Sequence, residues 1–285
     1  MASLTLSEPI VNEPNHVRRV TVLTIVASLI ALPLVIWVLG PHLPPGHASK
    51  QSAGQVTDNT VLTAVLTPLV CLILVFFGYS LIVFRRRGPT IEEGAAIRGN
   101  ARAQTLWIIS TSAIVLFLAG YGTWALLQSG SGGGQGPAPI SVPKGPKLAV
   151  QVIGQQWQFT YRYPSYGGVE TSQLVLPANR LIELHVTSLD VVHSFWAYNL
   201  GVKADANPNV DNVVYLNTRS PRTFDIRCAE LCGLWHGYMF DTGKVVPGAT
   251  FTTWISQQQH LFQAVARYVP PYGTTYNPAP IRRAG

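Results

Sequence analysis

The residues best suited to chemistry are gathered in one short stretch, Arg227-Cys-Ala-Glu-Leu-Cys-Gly-Leu-Trp-His-Gly-Tyr-Met-Phe240. It brings Cys228, Cys232, His236 and Met239 close together in sequence. Two thiolates, an imidazole and a thioether form a soft donor set, which suits copper better than magnesium, calcium or manganese. The spacing is too irregular to share one helical face, so a loop folded around metal is the natural reading. A second imidazole is expected from outside the stretch, and His193 in Asp190-Val-Val-His-Ser-Phe195 is the best placed. Two other readings stand beside this one. Cys228 and Cys232 could form a disulfide in an oxidising compartment. Two Cys and two His could hold structural zinc, although a thioether is a poor zinc ligand and Met239 would then have no role.

The pattern Cys-x-Glu-x-Cys-x3-His-x2-Met, with Asp-x-x-His-Ser-Phe upstream, resembles the copper domain of subunit II of haem–copper cytochrome c oxidases. A thioredoxin-type copper-delivery protein also carries Cys-x3-Cys, but with Pro following, where this chain has Gly233. The oxidase resemblance implies a cupredoxin-like fold and a dinuclear copper centre, CuA, bridged by Cys228 and Cys232. It also implies that His193 and His236 each terminate one copper. Met239 and the backbone carbonyl of Glu230 would be weak ligands, and the Glu230 carboxylate would meet a magnesium or manganese ion at the contact with subunit I. Gly154-Gln-Gln-Trp-Gln-Phe-Thr-Tyr161 resembles the family's aromatic segment, which makes Trp157 the residue through which electrons arrive. The implied partners are subunit I, the other oxidase subunits and a soluble donor, a cytochrome c or a small copper protein. The implied activity is that of a cytochrome c oxidase subunit, not catalytic alone. The copper subunit of a nitric oxide reductase and a copper-binding assembly factor are the alternatives.

These residues need a scaffold outside a membrane. Only 12% of the 285 residues are charged, about half the usual share for a soluble protein. Three runs, Val20–Leu39, Val61–Phe84 and Thr105–Leu127, carry no charge, and each can cross about 30 Å of hydrocarbon as a helix. The first doubles as a candidate signal sequence with Gly46-His47-Ala48 as its small-residue cleavage site, so two or three transmembrane helices are expected. Arg85, Arg86, Arg87, Arg98 and Arg102 place loop 85–104 in the cytoplasm, and Arg18 and Arg19 place residues 1–19 there too. The expected setting is a bacterial-type plasma membrane, with the C-terminal domain on its outer face. The net charge of +7 is explained by this flanking arginine and lysine, without nucleic acid as a partner. Gly99–Trp107 resembles the family's approach to its second helix, but Gln104 stands where the family usually has Glu and cannot titrate.

Residues 129–146 are rich in Gly, Ser and Pro and read as a flexible linker. Short alternating segments follow, among them Leu148–Ile153, Trp157–Tyr163 and Leu181–Thr187, separated by Gly, Pro and Asn. They predict an all-β sandwich or barrel over residues 147–268, closed by a terminal helix, with an extended tail at 269–285. In Leu181–Thr187, His185 falls on the polar side with Glu183 and Thr187 and is expected to be solvated. His260 is expected on the surface of the terminal helix.

Residues 129–285 hold twelve basic and eight acidic side chains. Opposite-charge steering raises association rates by about 10- to 1,000-fold and is lost in salt. This surface is therefore expected to receive electrons from a neutral or acidic donor. Electron transfer from a basic cytochrome c should then change little with ionic strength. A steep fall in rate as salt rises would contradict this reading.

Overall fold

The computed structural model describes residues 15–85, 99–129 and 142–264. Arg86, Arg87 and Arg98 of the expected cytoplasmic loop, most of the expected linker and the expected tail lie outside these residues. The chain divides into two compact units, one formed by Met1–Leu39 with Thr60–Gly99 and the other by Gly40–Asn59 with Asn100–Gly285.

Among the described residues, three helices are long and apolar enough to cross a membrane: α1 (His16–Pro33, continued by tighter and wider turns to His42), α2 (Lys50–Val83) and α3 (Ala101–Ser129). Asn15 caps α1, its side-chain oxygen accepting the Arg18 N–H at 2.9 Å. Large apolar side chains point outward all around these helices, as Leu29, Phe77 and Leu116 do. A helix with no polar face needs an apolar surrounding. α2 begins earlier than its apolar run, because Lys50–Asn59 continues the helix with polar residues and belongs to the second unit.

The second unit is built on two five-stranded sheets. Its strands are β1 (Lys147–Gln155), β2 (Gln158–Tyr163), β3 (Val169–Thr171), β4 (Val175–Pro177), β5 (Leu181–Ser188), β6 (His193–Ala197), β7 (Val202–Ala206), β8 (Asn212–Asn217), β9 (Arg222–Cys228) and β10 (Phe240–Val246). One sheet has the order β3-β2-β1-β5-β8 and the other β4-β10-β9-β6-β7. β1 runs parallel to β5 and β4 parallel to β10, while the remaining pairs are antiparallel. This is the expected sandwich. Val150, Val152, Leu184, Val186, Phe195, Leu216 and Ile226 fill its interior. The Tyr163 hydroxyl donates to the Val175 carbonyl at 2.9 Å and accepts its N–H at 3.0 Å, tying β2 of one sheet to β4 of the other. The terminal helix α4 (Gly248–Gln263) seals one end by burying Phe251 and Ile255, and His260 lies exposed on it.

The expectation for His185 is overturned. Its side chain is buried, with Nδ1 2.7 Å from Asp211 Oδ2 and Nε2 3.8 Å from Glu183. β5 lies between β1 and β8, and Asp211, just before β8, closes over the ring. Alternation along the strand could not show that its polar side would also be covered. Its neighbour β1 is likewise buried on both faces through its interior.

One docking contact has no signature in the sequence. Ala48, Ser49 and Ser52 are buried against the sandwich. The Ser49 hydroxyl donates to the Leu200 carbonyl at 2.6 Å, and Gln55 Nε2 donates to the Gly201 carbonyl at 2.8 Å. The Asn217 N–H donates to Gln51 Oε1 at 2.8 Å. Gly201 permits this approach: its φ is +67°, and a Cβ there would lie 2.7 Å from the Ser52 backbone nitrogen. Gly201→Ala should therefore lower the thermal midpoint of the purified chain by more than Gly167→Ala, which shares the positive φ but faces open space. The difference should correspond to about 1–3 kcal/mol, and equal midpoints would show that the contact adds nothing to stability.

Candidate metal centre

Strands β6 and β9 pair side by side, with Phe195 opposite Cys228. His193 opens β6 and Cys228 closes β9, so the ladder sets imidazole and thiol at one end of the sheet. The loop from β9 to β10 is pinned at its base, where the Cys228 N–H donates to the Met239 carbonyl at 2.9 Å. The Ala229 N–H donates to the Ser194 carbonyl, also at 2.9 Å. Gly233, with φ +115°, turns the chain after Cys232. Two tight turns follow, His236 N–H to Gly233 carbonyl at 3.1 Å and Met239 N–H to His236 carbonyl at 3.1 Å. They fold His236 and Met239 back over Cys232.

Cys228 and Cys232 Sγ are 3.8 Å apart. His193 Nδ1 lies 3.9 Å from the first sulfur and His236 Nδ1 3.5 Å from the second. The Met239 sulfur is 3.8 Å from Cys232 Sγ, and the Glu230 carbonyl oxygen is 3.2 Å from Cys228 Sγ. The structure thus brings His193, Cys228, Cys232, His236 and Met239 together, with Glu230 contributing its backbone. His193, Cys228, Cys232 and Met239 are buried, His236 is half-buried and the Glu230 side chain is exposed. A disulfide is about 2.05 Å long, so the two cysteines are free thiols here. Trp157 packs beside them, its Nε1 donating to the Cys232 carbonyl at 3.2 Å.

Asp190 supports this arrangement in a way the sequence reading did not assign. Its Oδ1 is 2.8 Å from His193 Nε2, so the imidazole presents Nδ1 to the sulfurs. Its Oδ2 accepts the Gln156 N–H at 2.7 Å. The spacing Asp-x-x-His was visible, but the carboxylate's direction was not. Gly154 leaves room for the ring, since a Cβ there would stand 3.0 Å from His193 Cδ2. Burial favours the neutral Cys228 thiol, but hydrogen bonds from His193, the Ser194 N–H, Glu230 and Cys232 outweigh it and bring its pKa down to about 6. Burial and the negative charge on Cys228 push Cys232 up to about 12. Burial disfavours the charged His193 ring, yet its bonds to Cys228 and Asp190 hold its pKa above the ordinary value.

Comparison with known proteins gives the family. The family profile described as "Cytochrome C oxidase subunit II, periplasmic domain" matches residues 169–246. Cytochrome c oxidase subunit 2 of Thermostichus vulcanus is 27% identical over 87% of this chain and 88% of its own length. The Bacillus subtilis subunit is 26% identical over 81% of this chain and 68% of its own. The chain belongs to the cytochrome c oxidase subunit II family. Among solved structures, the periplasmic domain of subunit II from Bradyrhizobium japonicum is 30% identical, covers 43% of this chain and 99% of its own, and aligns with a TM-score of 0.41. This subunit II is part of a haem–copper oxidase, an oxidoreductase complex, and its His, Cys, Cys and Met group suits copper.

Metal binding requires both thiols as thiolates. With Cys228 drawn below the ordinary thiol range and Cys232 pushed above it, the pair keeps one proton, on Cys232, at neutral pH. Affinity for cuprous ion, measured by chelator competition, should therefore rise about tenfold per pH unit near pH 8 and more steeply towards acid, where His193 and Cys228 also hold protons. An affinity unchanged from pH 7 to pH 9 would contradict this assignment.

Proposed function

We propose that this subunit accepts single electrons from a donor outside the membrane at a dinuclear copper centre and delivers them to subunit I, where dioxygen is reduced. The observation that carries the reading is the pair of thiol sulfurs 3.8 Å apart, flanked by imidazole, thioether and carbonyl donors at both ends. The donors fit the group. Cys228 and Cys232 would hold the group as thiolates, with His193 Nδ1 beside the first sulfur, His236 Nδ1 and Met239 beside the second, and the Glu230 carbonyl near Cys228. When bound, a dinuclear copper centre supplies a one-electron carrier whose charge is shared over both metals.

The protein's own residues do the rest. The β6–β9 ladder and the turns at Gly233 and His236 hold the donors in place, so little needs to move when an electron arrives. Asp190 fixes the His193 ring. Trp157 joins the outer surface to the ligand loop through its bond to the Cys232 carbonyl, which supports its role as the receiving residue. Leu231, Leu234, Tyr238 and Phe240 of the loop and its exit are between 64% and 82% exposed. An apolar rim of this kind favours burial against a partner, and subunit I is the partner proposed for it. The exposed Glu230 carboxylate would then meet a magnesium or manganese ion at that contact, since such ions take oxygen ligands. The sandwich is placed on the outer face of a bacterial-type plasma membrane, with Arg18 and Arg19 of α1 on the cytoplasmic side.

Two substitutions test the reading. Cys228→Ser should lose the dinuclear site, because an alkoxide does not replace a soft bridging thiolate, while Met239→Leu should keep copper with a shifted potential. Metal analysis and electron paramagnetic resonance measure both, and two coppers with the native signal in Cys228→Ser would refute the proposal. Trp157→Ala should slow electron arrival from reduced donor in rapid mixing at unchanged copper content. Equal rates would reduce Trp157 to a packing residue.

A further inference from the structure

Gln156 precedes Trp157 and contacts both halves of the metal centre. Its backbone N–H donates to Asp190 Oδ2 at 2.7 Å, and Asp190 Oδ1 holds His193 Nε2 at 2.8 Å. Its side-chain Nε2 donates to the Cys232 carbonyl at 2.8 Å. That carbonyl also receives Trp157 Nε1 at 3.2 Å, so both of its acceptor positions are filled, one by each neighbour. Gly233 completes the arrangement. A Cβ at that position would stand 2.9 Å from Gln156 Nε2 and 3.4 Å from the Trp157 ring, so any larger residue would push the amide off the carbonyl. The side chain reaches from β1's end across to the ligand loop, although Gln156 as a whole is exposed and adds nothing to the core.

We propose that Gln156 is a positioning residue that sets the electron affinity of the metal centre through its hydrogen bond to the Cys232 carbonyl. The inference rests on the copper reading above and extends it to a residue that touches no metal. Donors aimed at a ligand residue draw electron density from it and favour the electron-rich, reduced state. Trp157 donates to the same carbonyl through its own indole N–H, so the two donors act on one acceptor. Loss of the side chain leaves the backbone bond to Asp190 intact, so the His193 side is undisturbed. The substitution therefore isolates the amide.

The test uses the full chain in its oxidase complex, with copper content, the electron paramagnetic resonance spectrum and a redox titration followed by that spectrum. Gln156→Ala should retain full copper and shift the balance between oxidised and reduced centre about threefold to tenfold towards oxidised, the amount one hydrogen bond is worth. Gln156→Leu, which keeps the side chain's bulk but removes its donor, should shift it in the same direction by a similar amount. A native spectrum and midpoint in Gln156→Ala would overturn the proposal. So would loss of copper in that variant, which would make Gln156 a structural support. Should the unmodified complex itself lack two coppers, the underlying copper reading fails, and the state of Gln156 plays no part in that failure.

Discussion

The structure depends on a separation: two buried thiols held 3.8 Å apart, near enough to share a metal site and too far for a disulfide. Thiols left to themselves in an oxidising compartment pair covalently. What keeps these apart is backbone. Cys228 is fixed by the β9 ladder, by its N–H bond to the Met239 carbonyl and by the neighbouring bond from Ala229 to Ser194. Cys232 is held from the other side, its carbonyl clasped by Trp157 and Gln156. Two glycines leave room at the places where a side chain would intrude: Gly154 against His193 and Gly233 against Gln156.

The electrostatics follow from the same closeness. Two thiolates so near each other and out of water cannot both be charged without a cation between them. The pair divides instead, with Cys228 drawn towards thiolate by the His193 ring and Cys232 kept protonated by burial and by Cys228's charge. A metal ion resolves this conflict. The centre is therefore more than a set of donors at suitable distances; its protonation in the absence of metal already leans towards receiving a cation.

Much of this was legible in the sequence, and the reasons are chemical. Cys228, Cys232, His236 and Met239 are soft donors at short spacing, so their proximity follows from chain connectivity alone. His193 lies far away in sequence, and its placement needed the resemblance to a known family. The three apolar helices were legible because a long uncharged run admits few other outcomes. Less could be read where tertiary packing decides. His185 alternates like a surface residue, yet Asp211 from another segment closes over it. Ala48 to Gln55 reads as an ordinary polar approach to a helix, and nothing in its composition marks the hydrogen bonds to Leu200, Gly201 and Asn217. Asp190 and Gln156 were present in quoted motifs, but a supporting role depends on where a side chain points, and spacing does not carry that.

The protein, not the metal, sets the geometry of the donors. A pair of crystal structures of this chain, copper-free under reducing conditions and copper-loaded, tests this. His193, Cys228, Cys232, His236 and Met239 should keep the same side-chain orientations in both, with Asp190 on His193 and Gln156 on the Cys232 carbonyl throughout. A copper-free structure in which residues 229–239 take another path, or in which His193 has turned away from Asp190, would contradict it.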